Sequence, residues 1–335
     1  MARAGKIEWT ARLQAGQLLF ALLALAAIIP LVSLLVQAEE GPAARTAYVT
    51  NQLGNSLSVV DLAAGQQTAE IAIGGKPAGI ALSPDGSIAY LSSPDSREVV
   101  AVDTAGKNVV TRASVGQGPL GIAVNPKSGA VYVADWYAHR LYALDPATLA
   151  ITATVATGAA PSGVAVTADG ALILTADRDD NRVSLIDAAT FKVTGTIPTG
   201  ERPFGLTIDE VNGRVYTANV ASNSITVLDL KTRAHVQEVA VGLRPYGIAR
   251  AGTLLFVTNQ HAQSVSVIDA LTLAPVKTIR VGSFPEGIEA DPTGEAVWVA
   301  CWDANTLEKI DVATLAVTAR ISVGEGPRAF GKFLR

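Results

Sequence analysis

At 335 residues, 49% hydrophobic and 17% charged, the chain has apolar material for one large repeat domain or two ordinary ones. Its single cysteine, Cys301, excludes an internal disulfide, a multi-cysteine zinc site and the Cys-x-x-Cys-His attachment of c-type haem. The net charge of −4 argues against general nucleic-acid binding, and no such partner is expected.

The first element is an apolar segment. Residues 18–36 run for nineteen positions without a charge, and Ser33 is the only polar side chain among them. As a helix they span roughly 28 Å at about 1.5 Å per residue, against a bilayer core of about 30 Å. Arg3, Lys6 and Arg12 precede the segment, and Glu39 and Glu40 follow it. That asymmetry keeps the N-terminus in the cytoplasm and sends the rest across, to a periplasmic or extracellular location. Val36-Gln37-Ala38 suits a signal peptidase, so residues 1–38 are either a cleaved signal peptide or a retained signal anchor. Any membrane contact is then through residues 18–36. Residues 39–44 read as a short linker, and residues 39–335 carry a net −6.

From residue 45 a repeat sets in. A proline recurs at Pro77, Pro119, Pro161, Pro203, Pro245, Pro285 and Pro327, 42 residues apart except for one step of 40. Asp61, Asp103, Asp145, Asp187, Asp229, Asp269 and Asp311 keep the same rhythm, as do Gly74, Gly116, Gly158, Gly200, Gly242, Gly282 and Gly324. Each unit reads as four short strands bounded by turn residues. In one unit these are Gly121 to Asn125, Val131 to Asp135, Leu141 to Asp145 and Ala150 to Val155. The unit opening at Pro245 loses its two residues in the first hairpin, at Arg250-Ala251-Gly252. A unit this small cannot bury both sheet faces alone, so the units stack radially. The expected fold is all-β: a seven-bladed β-propeller of four-stranded blades over residues 45–335. Ala47 to Asn51 is a second strand with no first strand before it, and Pro327 to Leu334 is a first strand with no second after it. The C-terminal strand is therefore expected to close the ring as the innermost strand of the blade that residue 47 begins. A monomer is expected.

Tyr48-Val49-Thr50-Asn51 and Phe256-Val257-Thr258-Asn259 lie in second strands. With Ser264-Val265-Ser266-Val267-Ile268-Asp269 and Val281-Gly282-Ser283-Phe284-Pro285-Glu286-Gly287, they resemble the YVTN-type β-propeller repeat family over residues 45–335. The resemblance implies an exported propeller of the YncE-like kind. Related propellers include lactonases and the heavy subunits of quinoprotein dehydrogenases, so it bears on fold more than on function.

The recurrent aspartates cap turns rather than forming a carboxylate ring, as Asp187 with Thr190 and Asp311 with Thr314 illustrate. His139 fills a slot that holds Asn223 and Asn305 elsewhere, which marks it as a turn residue. Cys301 ends a second strand with no base beside it and reads as an inert thiol. No metal site and no cofactor are expected.

The informative positions flank the recurrent prolines, because loops entering first strands line the channel mouth. One arc there is small and apolar; the other carries Lys76, Arg202, Phe204, Arg244, Tyr246, Phe284, Glu286 and Arg328. Neighbouring loops add His261, Trp302 and Asp303. Guanidinium forks with aromatic walls suit an anionic ligand, with Arg244 and Arg328 as exposed charges; alternatively, these arginines pair with Glu286, Asp303 and Asp177. The expected function is a binding or scaffolding module rather than an enzyme, taking a small anionic ligand or a protein partner. A lactonase-like hydrolase is the enzymatic alternative, with His261 and Glu286 as acid and base. A docking subunit of a quinoprotein-type redox complex is the third reading, and predicts an exposed apolar patch on one face.

Overall fold

The computed structural model describes residues 45–335. The apolar run 18–36 and the cleavage position after Ala38 lie outside them. Seven sheets follow one another along the chain. Blades are numbered here in chain order, blade 1 being the one that opens with Thr46–Asn51. Blades 3 to 7 each hold four antiparallel strands in sequence order; blade 3 is Pro119–Val124, Val131–Asp135, Arg140–Leu144 and Ile151–Ala156. The short unit turns between Pro245–Ala251 and Leu254–Asn259, so its lost residues come out of that hairpin.

The middle strands are β-branched and apolar on successive positions because both of their faces are covered. In blade 4, Ile173 packs with Tyr132 and Leu141 of blade 3, while its neighbour Leu174 packs with Val215 and Leu228 of blade 5. The cores thus lie between neighbouring blades, so each blade depends on its neighbours to bury its faces. The fourth strands are the outer edge. In Asn108–Ser114 exposed and half-buried residues alternate, the pattern of a strand with one wet face. Third strands turn into fourth strands over aspartate caps. Asp187 Oδ1 accepts from the Thr190 amide at 2.7 Å and its hydroxyl at 2.8 Å, which holds that carboxyl below its ordinary range.

Ring closure follows the expected scheme with one departure. Pro327 pairs antiparallel with Asn51 and Leu334 with Ala47, completing blade 1. Between those anchors the chain swings away, and Phe330–Gly331 pairs in parallel with Gly79 and Ile80 of blade 2. The terminal segment is therefore stitched to two blades at once.

A recurrent glycine sets the width of the channel. Gly79, Gly121, Gly163, Gly205, Gly247 and Gly287 each stand two residues after the recurrent proline. A Cβ on Gly121 would lie 1.8 Å from the Ser162 carbonyl oxygen, and one on Gly205 2.3 Å from that of Tyr246. Inner strands of adjacent blades come this close only where no side chain intervenes.

Candidate functional site

The residues that follow each recurrent proline converge on the axis and fill it. Ala78, Leu120, Phe204 and Tyr246 form a buried cluster with Phe330 of the terminal segment. The Phe204 ring centroid lies 4.2 Å from Tyr246 and 5.0 Å from Phe330. Trp136 extends the cluster at 6.1 Å from Phe204 and carries the Arg178 guanidinium over its face at 5.1 Å. Phe204 and Tyr246, expected as walls of an open mouth, are a plug.

Glu286 and Arg328 belong to the same plug. Glu286 is 6% exposed. Its Oε1 accepts from Gln260 Nε2 at 2.6 Å, and its Oε2 lies 2.9 Å from Arg328 Nε. Arg328 also donates to the Tyr246 hydroxyl and lies over that ring. Burial pushes the Glu286 carboxyl up, and the Arg328 charge pulls it back. Burial also raises the Tyr246 phenol. Arg328, expected as an exposed charge, is a mostly buried ion-pair partner, with 15% of its side chain exposed. The pairing of Arg328 with Glu286 is the alternative the sequence left open.

The other mouth residues stand on the rim. Lys76 Nζ pairs with Asp95 at 2.8 Å. Arg202 and Arg244 are exposed, and among the described residues neither has a carboxylate at ion-pair distance. Their backbone amides donate to Asn181 Oδ1 and Asn223 Oδ1, each at 2.8 Å. The same latch joins Ala160 N–H to His139 Nδ1, which is why a histidine stands in an asparagine slot. Arg202, Arg244 and Phe284 have left-handed backbone, φ 57°, 56° and 52°. Leu149 and Phe191 in outer turns share it, so it marks the turn type and not the rim.

Around Arg244 the rim becomes a ledge. Arg244 Nη1 lies 3.3 Å from His261 Nε2. The His261 ring stands edge-on to Phe284 at 5.4 Å, and Phe284 lies 6.2 Å from Trp302. Trp302 Nε1 donates to Gln52 Oε1 at 3.1 Å, and Asp303 accepts from Ser283 Oγ at 2.9 Å. Leu243 and Leu53, 57% and 49% exposed, belong to the same face. His261 thus meets an arginine, while Glu286 is held by Gln260 and Arg328 below the surface; the acid–base pair of a lactonase is not assembled. Cys301 is fully buried, and burial drives its thiol far up, out of nucleophilic reach.

Below the plug the channel reopens toward the opposite face. Phe330 lines that cavity too, together with first-to-second-strand hairpin residues such as Pro126, Ala168 and Val211. The channel is a blind cup. Ring-order reading missed this end, although its signal was present: Glu289 stands where other blades hold Ala81, Ala123, Ala165, Thr207 and Ala249.

Residues 117–141 match the NHL repeat. No curated protein matches the sequence. Among solved structures, a functionally unknown protein of Desulfotomaculum acetoxidans shares the fold at a TM-score of 0.74 and 16% identity, over 84% of this chain and 98% of that one. Kuenenia stuttgartiensis hydrazine synthase is similar at 0.68 and 18%, over 76% of this chain and 88% of that one. The dihydro-heme d1 dehydrogenase NirN, in complex with DHE, is similar at 0.66 and 16%, over 87% and 75%.

Proposed function

We propose that the protein is a binding module whose rim ledge docks a partner protein presenting acidic and apolar side chains together. The observation that carries this reading is the pair Arg202 and Arg244, exposed and without a carboxylate at ion-pair distance among the described residues, with Arg244 against His261, whose ring meets the half-exposed Phe284 and, beyond it, Trp302. The axis on this face is filled by Phe204, Tyr246 and Phe330, and a ledge of cations and aromatics matches the composition of protein interfaces. The resemblance of the repeat to YncE-like exported propellers fits a module of this kind, and a docking surface is also what a redox-complex subunit needs. Likeness to hydrazine synthase and NirN at 18% and 16% identity bears on the fold alone.

Selecting random peptides on the full chain tests the reading. Enriched peptides are expected to place Asp or Glu next to an apolar side chain, and Arg244→Ser with Phe284→Ala should lose them by roughly tenfold or more. Peptides without acidic bias, or equal binding to the double variant, would overturn it. The same reading places the propeller beyond the cytoplasmic membrane, supported by the basic flank and apolar run of residues 1–38. Mass spectrometry of the purified protein checks this: a chain recovered from the periplasm starting at Glu39, or from the membrane starting at Met1, is expected, and a cytosolic intact chain sinks it.

A further inference from the structure

The cup on the hairpin face uses none of the residues singled out at the mouth. Its volume is about 590 Å³, inside the range of roughly 300–1,000 Å³ for small-molecule pockets. Its wall divides by blade. Five residues after the recurrent proline, blades 2 to 5 carry Leu82, Val124, Val166 and Ile208, whereas blade 6 carries Arg250 and the terminal segment Lys332. Glu289 of blade 7 lies between these two in ring order. At this position one arc is hydrocarbon and the other charged.

The carboxylates that line the cup, Asp209 and Glu210 of blade 5 and Glu289 of blade 7, are already engaged. Asp209 lies 3.0 Å from Arg250 Nε and accepts from Asn212. Glu210 accepts from the Ala168 amide at 2.7 Å. Glu289 Oε2 accepts from the Phe333 and Leu334 amides at 2.5 and 2.8 Å. Burial first of all pushes the Glu289 carboxyl up to about 7, against the pull of those amides and of Lys332, and the Asp291 charge raises it further. Near neutrality it is therefore in part uncharged. What remains is hydrogen-bond donor capacity: among the described residues neither the Arg250 guanidinium, which faces Asp209 as an ion pair, nor the Lys332 ammonium, whose charge acts on Glu289, donates a hydrogen bond. Cationic donors with spare hydrogen-bond capacity beside an apolar wall suit a ligand with an acidic head and a hydrocarbon body.

We propose that this cup binds a small amphiphilic acid, its hydrocarbon body against Val124, Val166 and Ile208 and its carboxylate between Arg250 and Lys332. Phe330 is the floor that stops the body, and the plug behind it keeps the site separate from the rim ledge.

Titration calorimetry of the full chain with decanoate, decanol and decyltrimethylammonium, each below its micellar concentration, tests the assignment. Decanoate is expected to bind at one equivalent, decanol about tenfold or more weakly, and the cation not measurably, since a charge-assisted hydrogen bond contributes about 1.5–3 kcal/mol. Ala165→Trp fills the cup and should abolish binding. Should that variant fail to fold, Lys332→Glu at an exposed position should weaken decanoate by about tenfold or more. From about pH 6 to about pH 8 the wild-type affinity should fall as Glu289 ionises beside the head group, and Glu289→Gln should flatten the profile. Arg244→Ser with Phe284→Ala should leave decanoate untouched, which separates this site from the ledge. Equal binding of the three amphiphiles, no binding of decanoate, undiminished binding to Ala165→Trp or Lys332→Glu, or a flat wild-type pH profile overturns the proposal.

Discussion

Arg244 and Arg328 follow the same sequence logic, one just before and one just after a recurrent proline, yet the structure gives them opposite energetics. Arg244 is an exposed rim charge against His261, close enough to Glu286 to act on it only as a minor charge. Removing it should change stability by about 1 kcal/mol or less. Arg328 faces Glu286, which is 6% exposed. Arg328→Ala leaves that carboxylate buried and uncompensated, at a cost of about 3–5 kcal/mol. For a domain of this size about 1 kcal/mol corresponds to roughly 2 °C. Arg328→Ala should therefore melt several degrees below wild type and Arg244→Ala within a degree or two. Adding Glu286→Gln to Arg328→Ala should recover part of the loss, because the orphaned charge is gone. Equal melting of the two single variants would show that the pair contributes nothing. The sequence placed both arginines on one arc of the mouth. Their depth differs because residues just before the prolines, such as Arg202 and Arg244, stand on the exposed rim, whereas those just after, such as Phe204, Tyr246 and Glu286, are buried.

At the scale of the strand, three periodic markers were enough to read seven units and four strands in each. Turns, caps and apolar runs are local chemistry, and local chemistry is legible in a sequence. The inter-blade spacing was not read, although its marker keeps the same rhythm through six of the seven units. The glycines two residues after six of the seven prolines look like further turn punctuation until neighbouring inner strands are seen to pass over them. This makes a sharp contrast between two Gly→Ala substitutions in strands. At Gly121 the new methyl meets the backbone oxygen of Ser162 at 1.8 Å, so whole blades must separate. At Gly195, in the outer strand Lys192–Pro198, the nearest atom is 3.7 Å away. Gly121→Ala should cost about 3 kcal/mol or more. Gly195→Ala should be neutral or slightly stabilising, since it reduces unfolded-chain entropy by about 0.4–1 kcal/mol. Urea denaturation compares them directly, and similar midpoints would mean that the inner glycines do not set the blade spacing.

For the molecule as a whole the decisive element is the last one. A ring of blades has no edge only if its two ends are joined, and here residues 327–335 make the join. The segment pairs with blade 1 at Pro327 and Leu334 and with blade 2 at Phe330–Gly331. It also supplies Phe330 to the plug, Arg328 to Glu286, and the two amides that hold Glu289. Deleting it exposes the inner edge of Thr46–Asn51, whose Tyr48 amide now donates to the Phe333 carbonyl at 2.9 Å. It also removes Phe333 and Leu334 from the core that blade 1 shares with blades 2 and 7. Because every core lies between blades, a gap at one junction propagates to both neighbours rather than fraying locally. A chain ending at Gly326 should therefore aggregate, or melt by more than 10 °C below the full chain, well beyond the roughly 4–6 °C of two lost surface contacts on the same scale. Removing Arg335 alone takes away backbone hydrogen bonds with Arg45 and Thr46 but leaves the plug and both pairings in place, so it should shift melting by only a few degrees. Scanning calorimetry of the two truncations decides the matter. If the chain ending at Gly326 stays soluble and melts like the one lacking only Arg335, the ring does not depend on its C-terminal closure, and the coupling of plug, ion pair and seam described here is wrong.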